Sequence, residues 1–270
     1  MKRSHSYSQL FFAVIVAIGC GSGKPQNASA TSDAATPTAP EAPLQLAAAP
    51  ADAQPAAGGS ASIHGAVHFE GAPPAPEKVK MDADPICQQQ HTSPVYAEEV
   101  VVNDNKTLKN VFVYVKEGAK GPFPTPTTPV TLTQSGCGYQ PHVFGIQVDQ
   151  PFDIVNGDAT LHNVNAKPAS NPPFNIAQPV KGMKSTKKFS KPEVMVPLKC
   201  NVHPWMHAYA GVLDHPFFSV TGTDGAFTVS GLPAGTYTIA AWQEKYGTQT
   251  QTVTVADGES KSIDFTFKSQ

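Results

Sequence analysis

From Ile63 onward the chain is a series of short apolar stretches, each of which ends within a few residues at glycine, proline, asparagine or aspartate. The stretches are shorter than ordinary helices, and alternation of apolar and polar side chains is typical of strands. Strands and turns at this spacing are typical of β-sandwiches and barrels. The 26 prolines and 21 glycines among 270 residues agree with this pattern. The sequence therefore predicts an all-β fold after its N-terminal region.

The predicted strands fall into two groups. Those of the first group are residues 63–69, 100–102, 111–115, 130–133, 143–148, 152–155 and 194–198. Those of the second group form a C-terminal meander: residues 217–221, 227–230, 237–242, 251–255 and 262–267.

The N-terminus has the features of an export signal. Lys2 and Arg3 precede an apolar run, Leu10–Ile18, that is too short to span a bilayer but suits the core of a signal peptide. The run ends in Ala-Ile-Gly-Cys, which resembles the bacterial lipoprotein box. This resemblance implies a signal peptide at residues 1–20, lipidation of Cys20 and anchoring to a bacterial membrane, at the periplasmic face or the cell surface. An ordinary secretory signal with an incidental cysteine is the alternative.

Residues 21–60 are dominated by alanine, proline, threonine, serine and glycine. A segment with so few large apolar side chains cannot bury enough surface to offset the entropy lost on ordering. It is predicted to be a disordered linker that tethers the folded part to the membrane.

The strongest chemical signal is a loop that contains Cys200, His203 and Met206 within seven residues, directly after a predicted strand. Thiolate, imidazole and thioether donors together select copper over hard cations, and a trigonal site of this kind needs a second imidazole. His162 can supply it, because it follows the strand at 152–155 and the Gly-Asp turn after that strand. The four residues together predict one mononuclear copper site. Taken singly, His162 and Met206 have structural alternatives as a loop histidine and a core side chain.

These motifs resemble those of the cupredoxins, the plastocyanin-like and amicyanin-like blue copper proteins. The likeness is carried by His-Asn-Val at residues 162–164 and by Cys-x-x-His-Pro-x-Met at residues 200–206, and it covers about residues 130–212. It implies a Greek-key β-sandwich, a type 1 copper ion and transfer of single electrons between extracytoplasmic redox proteins. Because protein ligands fill the site, an enzymatic function is not expected.

The resemblance also implies roles around the ligands. Asn163 would tie the strand of His162 to the Cys200 loop by a hydrogen bond. The edge of His203 would reach the protein surface, where Pro204 and Trp205 would form a docking patch for a redox partner. Trp205 has an equally good alternative as a core residue.

The C-terminal meander resembles the carboxypeptidase-regulatory, transthyretin-like β-sandwich. The resemblance is carried by Thr-Asp-Gly-Ala-Phe at residues 223–227 and Gly-Leu-Pro-Ala-Gly-Thr-Tyr at residues 231–237. The expected domains are a copper domain at 61–215, with its core at 130–212, and the second sandwich at 216–270. The alternative is that strands at 63–69 and 111–115 complete the second sandwich, with the copper domain inserted into it.

Two cysteines remain, Cys87 and Cys137. In an exported protein they are expected to form a disulfide. The alternative is a Cys₂His₂ metal site with His91 and His142, whose spacing from the cysteines loosely fits zinc.

The remaining features bear on partners. A net charge of −2 with 15% charged residues gives no electrostatic preference for nucleic acid. His207 and His215 flank the copper loop and are expected to be surface residues, or alternatively weak copper-capture ligands. Two other functions compete with electron transfer: copper storage or delivery, and a surface binding module in which the metal site is vestigial.

Overall fold

A computed structural model describes residues 58–269, so the predicted signal peptide, Cys20 and most of the linker lie outside the described residues. The described chain is all-β apart from one short helix, α1 (Pro85–Gln89). The strands are, in chain order, β1 (Ala61–Glu70), β2 (Val101–Val102), β3 (Leu108–Lys109), β4 (Phe112–Glu117), β5 (Val130–Ser135), β6 (Gly138–Gln140), β7 (Val143–Gln147), β8 (Phe152–Asn156), β9 (His162–Ala166), β10 (Phe174–Gln178), β11 (Lys184–Lys187), β12 (Glu193–Lys199), β13 (His207–Leu213), β14 (Phe218–Val220), β15 (Ala226–Leu232), β16 (Gly235–Gln243), β17 (Gly247–Val255), β18 (Ser260–Ser262) and β19 (Phe265–Lys268).

One sandwich, which we name the host sandwich, consists of β1, β4 and β14–β19. Its first sheet has the order β15-β1-β18, with β19 also pairing with β1, and its second has the order β14-β4-β16-β17. The central strand β1 alternates buried and more exposed residues at both ends, and its side chains Ile63 and Val67 are fully buried in the core with Val113 and Ile239. Strands from before and after residue 216 thus share one core.

The other sandwich, which we name the insert sandwich, consists of β5–β13. Its sheets have the orders β10-β9-β12-β13-β7 and β11-β8-β5-β6. Most neighbours are antiparallel, but β13 with β7 and β5 with β8 are parallel. Leu132, Ile154, Val164 and Leu198 are fully buried between the two sheets. The chain leaves the host sandwich after β4 and returns to it at β14, so the insert sandwich interrupts the host.

The two sandwiches meet through aromatic rings that lie on glycines. Gly145 on β7 and Gly211 on β13 are paired in register. A Cβ atom at Gly145 would lie 2.2 Å from the ring of Phe218, and one at Gly211 would lie 2.3 Å from the ring of Phe112. These backbones therefore approach the rings more closely than any side chain would allow.

The structure adds elements that the sequence pattern did not predict. These are α1, the short strands β3 and β6, and the strands β10, β11 and β13 of the insert sandwich. The single strand expected at 262–267 is two strands, because Ile263 and Asp264 separate β18 from β19. No helix within residues 58–269 has the length and apolar character needed to cross a membrane.

Candidate metal centre

Three of the predicted ligands come together at one end of the insert sandwich. His162 is the first residue of β9, Cys200 follows β12, and His203 lies in the loop before β13. One donor atom from each of these side chains lies within 4.8 Å of the others. All three are buried, with at most 4% of each residue exposed.

The loop that contains the sulfur donors is closed by its own backbone. The amide of Cys200 donates to the carbonyl of Met206 at 3.0 Å, and the amide of Met206 donates to the carbonyl of His203 at 2.9 Å. The side chain of Met206 is only 1% exposed and packs in the core of the insert sandwich. The backbone of the loop therefore holds the cysteine, histidine and methionine close to one another.

A carboxylate fixes the ring of His162. Its Nε2 donates to Asp158 Oδ2 at 2.9 Å. The same carboxylate accepts the amides of Gly136 at 2.9 Å and Cys137 at 2.8 Å. Because Nε2 is occupied, the other ring nitrogen, Nδ1, points inward, 2.9 Å from Nδ1 of His203. Carboxylate–histidine pairs of this kind orient the histidine ligands of many metal sites.

The side chain of Asn163 links β9 to the cysteine loop. Its Oδ1 accepts the amide of Asn201 at 2.8 Å and lies 3.4 Å from the sulfur of Cys200. The amide of His203 donates to the same sulfur at 3.4 Å. Tyr139 donates its hydroxyl to the carbonyl of Asn163 and is itself almost fully buried. This network holds the sulfur in one position relative to the two imidazoles.

The electrostatics favour the thiolate form of Cys200. Burial raises the pKa of the thiol, but hydrogen bonds from His162 and from nearby groups around the loop lower it to about 6. Burial lowers the pKa of His162, yet hydrogen bonds with Asp158 and Cys200 raise it to about 9. Both Nε2 atoms donate to carboxylates, so a cation that displaces the remaining ring proton of His162 would find both Nδ1 atoms beside an anionic sulfur. That donor set suits a soft cation.

The expectation that His203 exposes an edge at the surface is wrong, because the residue is only 2% exposed. Its Nε2 donates to Asp84 Oδ2 at 2.9 Å, and the sulfur of Cys87 lies 3.6 Å from the same nitrogen. Asp84 also caps α1, accepting the amides of Ile86 and Cys87. Burial raises the pKa of Asp84, but His203 and the capped amides lower it to about 2. The segment with α1 therefore covers the histidine.

The two residues of the expected docking patch differ from each other. Pro204 is exposed, whereas Trp205 is half-buried. The indole N–H of Trp205 donates to the carbonyl of Cys137 at 2.9 Å, and its ring lies 5.1 Å from the ring of His203, centroid to centroid. Trp205 thus packs against the core and also reaches solvent.

Cys87 and Cys137 form a disulfide. The alternative Cys₂His₂ site is wrong for this structure, because both sulfurs are in that bond. In addition, His91 donates to the carbonyl of Gly136 at 2.8 Å, and His142 Nε2 contacts Glu244 at 2.7 Å. The disulfide joins α1, which covers His203, to the turn that is bonded to Asp158.

The flanking histidines are not simple surface residues. His215 is buried, and its Nε2 donates to the carbonyl of Val115 at 2.9 Å. His207 is half-buried and contacts Glu244. The expectation of a surface position is therefore wrong for His215, whereas His207 is partly exposed.

Sequence reasoning missed the two carboxylates that hold the imidazoles. Asp158 was visible as the aspartate of the Gly-Asp turn, four residues before His162. Asp84 stands directly before Pro85, a combination that is typical of a helix N-terminus. Neither pattern by itself indicates a histidine as the partner.

One comparison with known proteins concerns the C-terminal part of the host sandwich. The family model of the carboxypeptidase regulatory-like domain matches residues 214–268, which contain β14–β19 of the host sandwich. No curated protein matches the chain.

Among solved structures, a copper-containing nitrite reductase from Thermus scotoductus SA-01 is 27% identical over 37% of this chain, with a TM-score of 0.29. The chain spans about a quarter of that reductase, 25% of its length. A purple cupredoxin from Nitrosopumilus maritimus is 18% identical over 30% of this chain and 97% of its own, with a TM-score of 0.27. The M51A mutant of amicyanin in its Cu(I) form is 16% identical over 37% of this chain and 97% of its own, with a TM-score of 0.29. The chain thus contains a carboxypeptidase regulatory-like domain and has weak structural similarity to cupredoxins.

Proposed function

We propose that the chain is a type 1 copper protein that carries single electrons, in which His162, Cys200, His203 and Met206 would hold one copper ion. The observation that carries this proposal is the convergence of one thiol and two imidazoles within 4.8 Å in a buried site. Sulfur and nitrogen donors of this kind favour copper over hard cations. Bound copper would supply a one-electron couple between Cu(I) and Cu(II).

The protein's part is to hold the donors in place before and after an electron moves. Asp158 and Asp84 each accept the Nε2 proton of a ligand imidazole, which keeps both rings in one orientation. The side chain of Asn163 accepts the amide of Asn201, the residue that follows Cys200 in the loop. A donor set fixed by so many hydrogen bonds moves little when its charge changes, so the reorganisation barrier stays low.

The redox partners are proposed to be extracytoplasmic proteins that dock beside the site. Because Asp84 and α1 cover His203, the docking surface would be the exposed apolar side chains next to the site residues. Leu161, Val202 and Ile86 are 41%, 46% and 43% exposed. Trp205, which is half-buried and has its ring beside His203, would offer an aromatic path between this surface and the ligand.

The proposed location is outside the cytoplasm, on a lipid anchor at Cys20. A disulfide between Cys87 and Cys137 supports an oxidising compartment. We also propose that the chain is not an enzyme, since four protein ligands would leave no position on the metal for a substrate.

Copper storage or delivery is the competing function. A protein that delivers copper needs ligands that its acceptor can reach, whereas Cys200 and both histidines are almost completely buried. Burial of this degree supports retention of the ion in both oxidation states and therefore favours an electron carrier.

The test is an absorption and paramagnetic-resonance spectrum of the copper-loaded, oxidised protein. We expect an intense thiolate-to-copper band at about 600 nm. The variants Cys200→Ser and His162→Gln should lose it, and His64→Gln, at a histidine in the host sandwich, should keep it. A colourless protein that binds only Cu(I) would refute the proposed electron carrier and favour copper storage or delivery.

A further inference from the structure

A second group of metal-ligating side chains lies where the two sandwiches meet. His142 directly precedes β7, His207 begins β13, and Glu244 follows β16 of the host sandwich. The Nε2 atoms of the two histidines contact different oxygens of Glu244, at 2.7 Å for His142 and 3.0 Å for His207. One donor atom from each residue lies within 4.8 Å of the others. Two imidazoles and a carboxylate are a common protein contribution to zinc sites.

Neighbouring groups fix the orientation of these donors. Nδ1 of His207 lies 3.2 Å from the carbonyl of Trp205, and since a carbonyl only accepts, Nδ1 carries the proton. Nε2 of His207 is therefore the ring nitrogen that faces Glu244, and Nε2 of His142 faces the other oxygen of the same carboxylate. The hydroxyl of Tyr209 donates to Glu244 Oε1 at 3.0 Å and holds the carboxylate in place.

Surrounding charges leave the carboxylate available to a cation. The neighbouring Lys245 contacts Glu99 at 3.3 Å instead of Glu244. Lys199 lies across from His207 in the pairing of β12 with β13 and is exposed. The side chains of His142 and Glu244 are 6% and 12% exposed, and that of His207 is 24% exposed, so an ion can enter from the side of His207.

We propose that His142, His207 and Glu244 form a second metal site, which binds one divalent cation of the zinc class and joins the two sandwiches. Three protein ligands leave the fourth tetrahedral position to water. The site shares no ligand with the proposed copper centre, although His207 directly follows Met206. The proposal therefore stands whether or not the copper centre is correct.

The test compares zinc binding by the whole chain and by Glu244→Gln, which keeps the side-chain volume and a hydrogen-bonding oxygen but removes the charge. Zn²⁺ is titrated calorimetrically into both proteins, metal-free and after loading with Cu(I). In either state we expect the unsubstituted chain to bind one more equivalent of Zn²⁺ than Glu244→Gln does, or to bind that equivalent at least about tenfold more tightly. Glu117→Gln, at an exposed carboxylate at the end of β4, is the matched control and should bind zinc as the unsubstituted chain does.

Co²⁺ added to the colourless Cu(I)-loaded protein reports the geometry. Strong visible bands from a four-coordinate ion should appear in the unsubstituted chain and be absent in Glu244→Gln. Equal zinc stoichiometry and affinity in the two proteins would overturn the proposal. A variant that is only less stable, with unchanged zinc binding, would show that the three residues form an ion-pair cluster alone.

If Glu244→Gln does not fold, His142→Gln provides the same comparison. The absence of a band at about 600 nm in the oxidised copper-loaded protein would refute the proposed electron carrier. The difference in zinc binding between the variants would remain measurable in that case, so the two failures are distinguishable.

Discussion

The disulfide gives the prediction with the clearest magnitude. Cys87 and Cys137 are 50 residues apart in sequence and both are fully buried. In the chain-entropy model, a cross-link that closes a loop of this length removes about 14 cal/mol/K of entropy from the unfolded chain, which stabilises the fold by about 4 kcal/mol at room temperature. The double variant Cys87→Ala/Cys137→Ala should lose that amount.

The assay is urea unfolding of the metal-free protein, followed by circular dichroism and tryptophan fluorescence. The dependence of the unfolding free energy on urea should also steepen, because an unfolded chain without the cross-link exposes more surface. The control is the unsubstituted chain unfolded and refolded under reductant, which lacks the cross-link but keeps both sulfur atoms. If the double variant and the reduced unsubstituted chain have the same free energy of unfolding, the loss of stability comes from the missing cross-link and not from the cavity left by alanine.

The same variant should loosen the cover of the metal centre. The sulfur of Cys87 is the atom of α1 that contacts His203, and the amides of Ile86 and Cys87 donate to Asp84. Hydrogen exchange at these two amides should therefore accelerate in the double variant. A loss of stability below about 1 kcal/mol, with unchanged exchange, would refute the reasoning, because it would mean that other contacts already restrain the loop.

Three further predictions concern single side chains. Met206→Leu should keep the absorption band of the copper-loaded protein and raise its reduction potential, measured by voltammetry, since the thioether proposed as a weak ligand is lost. Asn163→Ala should lower the free energy of unfolding by about 1 kcal/mol, because the amide of Asn201 loses its acceptor. Gly211→Ala should lower it by about 1–3 kcal/mol, because the new Cβ would lie 2.3 Å from the ring of Phe112. Urea unfolding measures both losses.

The predictions for Met206 and Gly211 each have an outcome that would contradict them. A band lost with Met206→Leu would mean that the thioether determines the geometry of the site and not only its potential. For the glycine, the control is Gly222→Ala, where a new Cβ would have its nearest neighbour at 3.8 Å. Equal stabilities of the two alanine variants would show that the packing between the sandwiches adapts without cost.

The convergence of Cys200 and His203 was predictable because it is local. Both lie in one loop with Met206, and their donor types in that spacing predict a shared ion. His162 could be added because it follows a strand whose apolar alternation ends at a recognisable turn. The buried strands were also predictable, since their alternation reflects one face in a core, as in β1.

The surroundings of the ligands were not predictable, because they come from contacts between distant residues. Asp84 is 119 residues before His203, and Glu244 is 102 residues after His142. No periodicity in the sequence records which strands become neighbours at these separations. Edge strands such as β10 escaped prediction for a different reason: only one of its five residues is fully buried, so its apolar pattern is weak.

The cluster of His162, Cys200 and His203 is covered by a segment that the host sandwich holds at both ends. The segment between β1 and β4 includes α1, and both of its ends are held by strands of the host sandwich. The middle of that segment crosses to the insert sandwich, where the disulfide and Asp84 join it to the site. The host sandwich thus anchors the segment that covers His203, although none of its own strands contributes a ligand. Because Asp84 and Cys87 make the contacts that cover His203, the burial of this imidazole depends on a segment whose ends the host sandwich fixes.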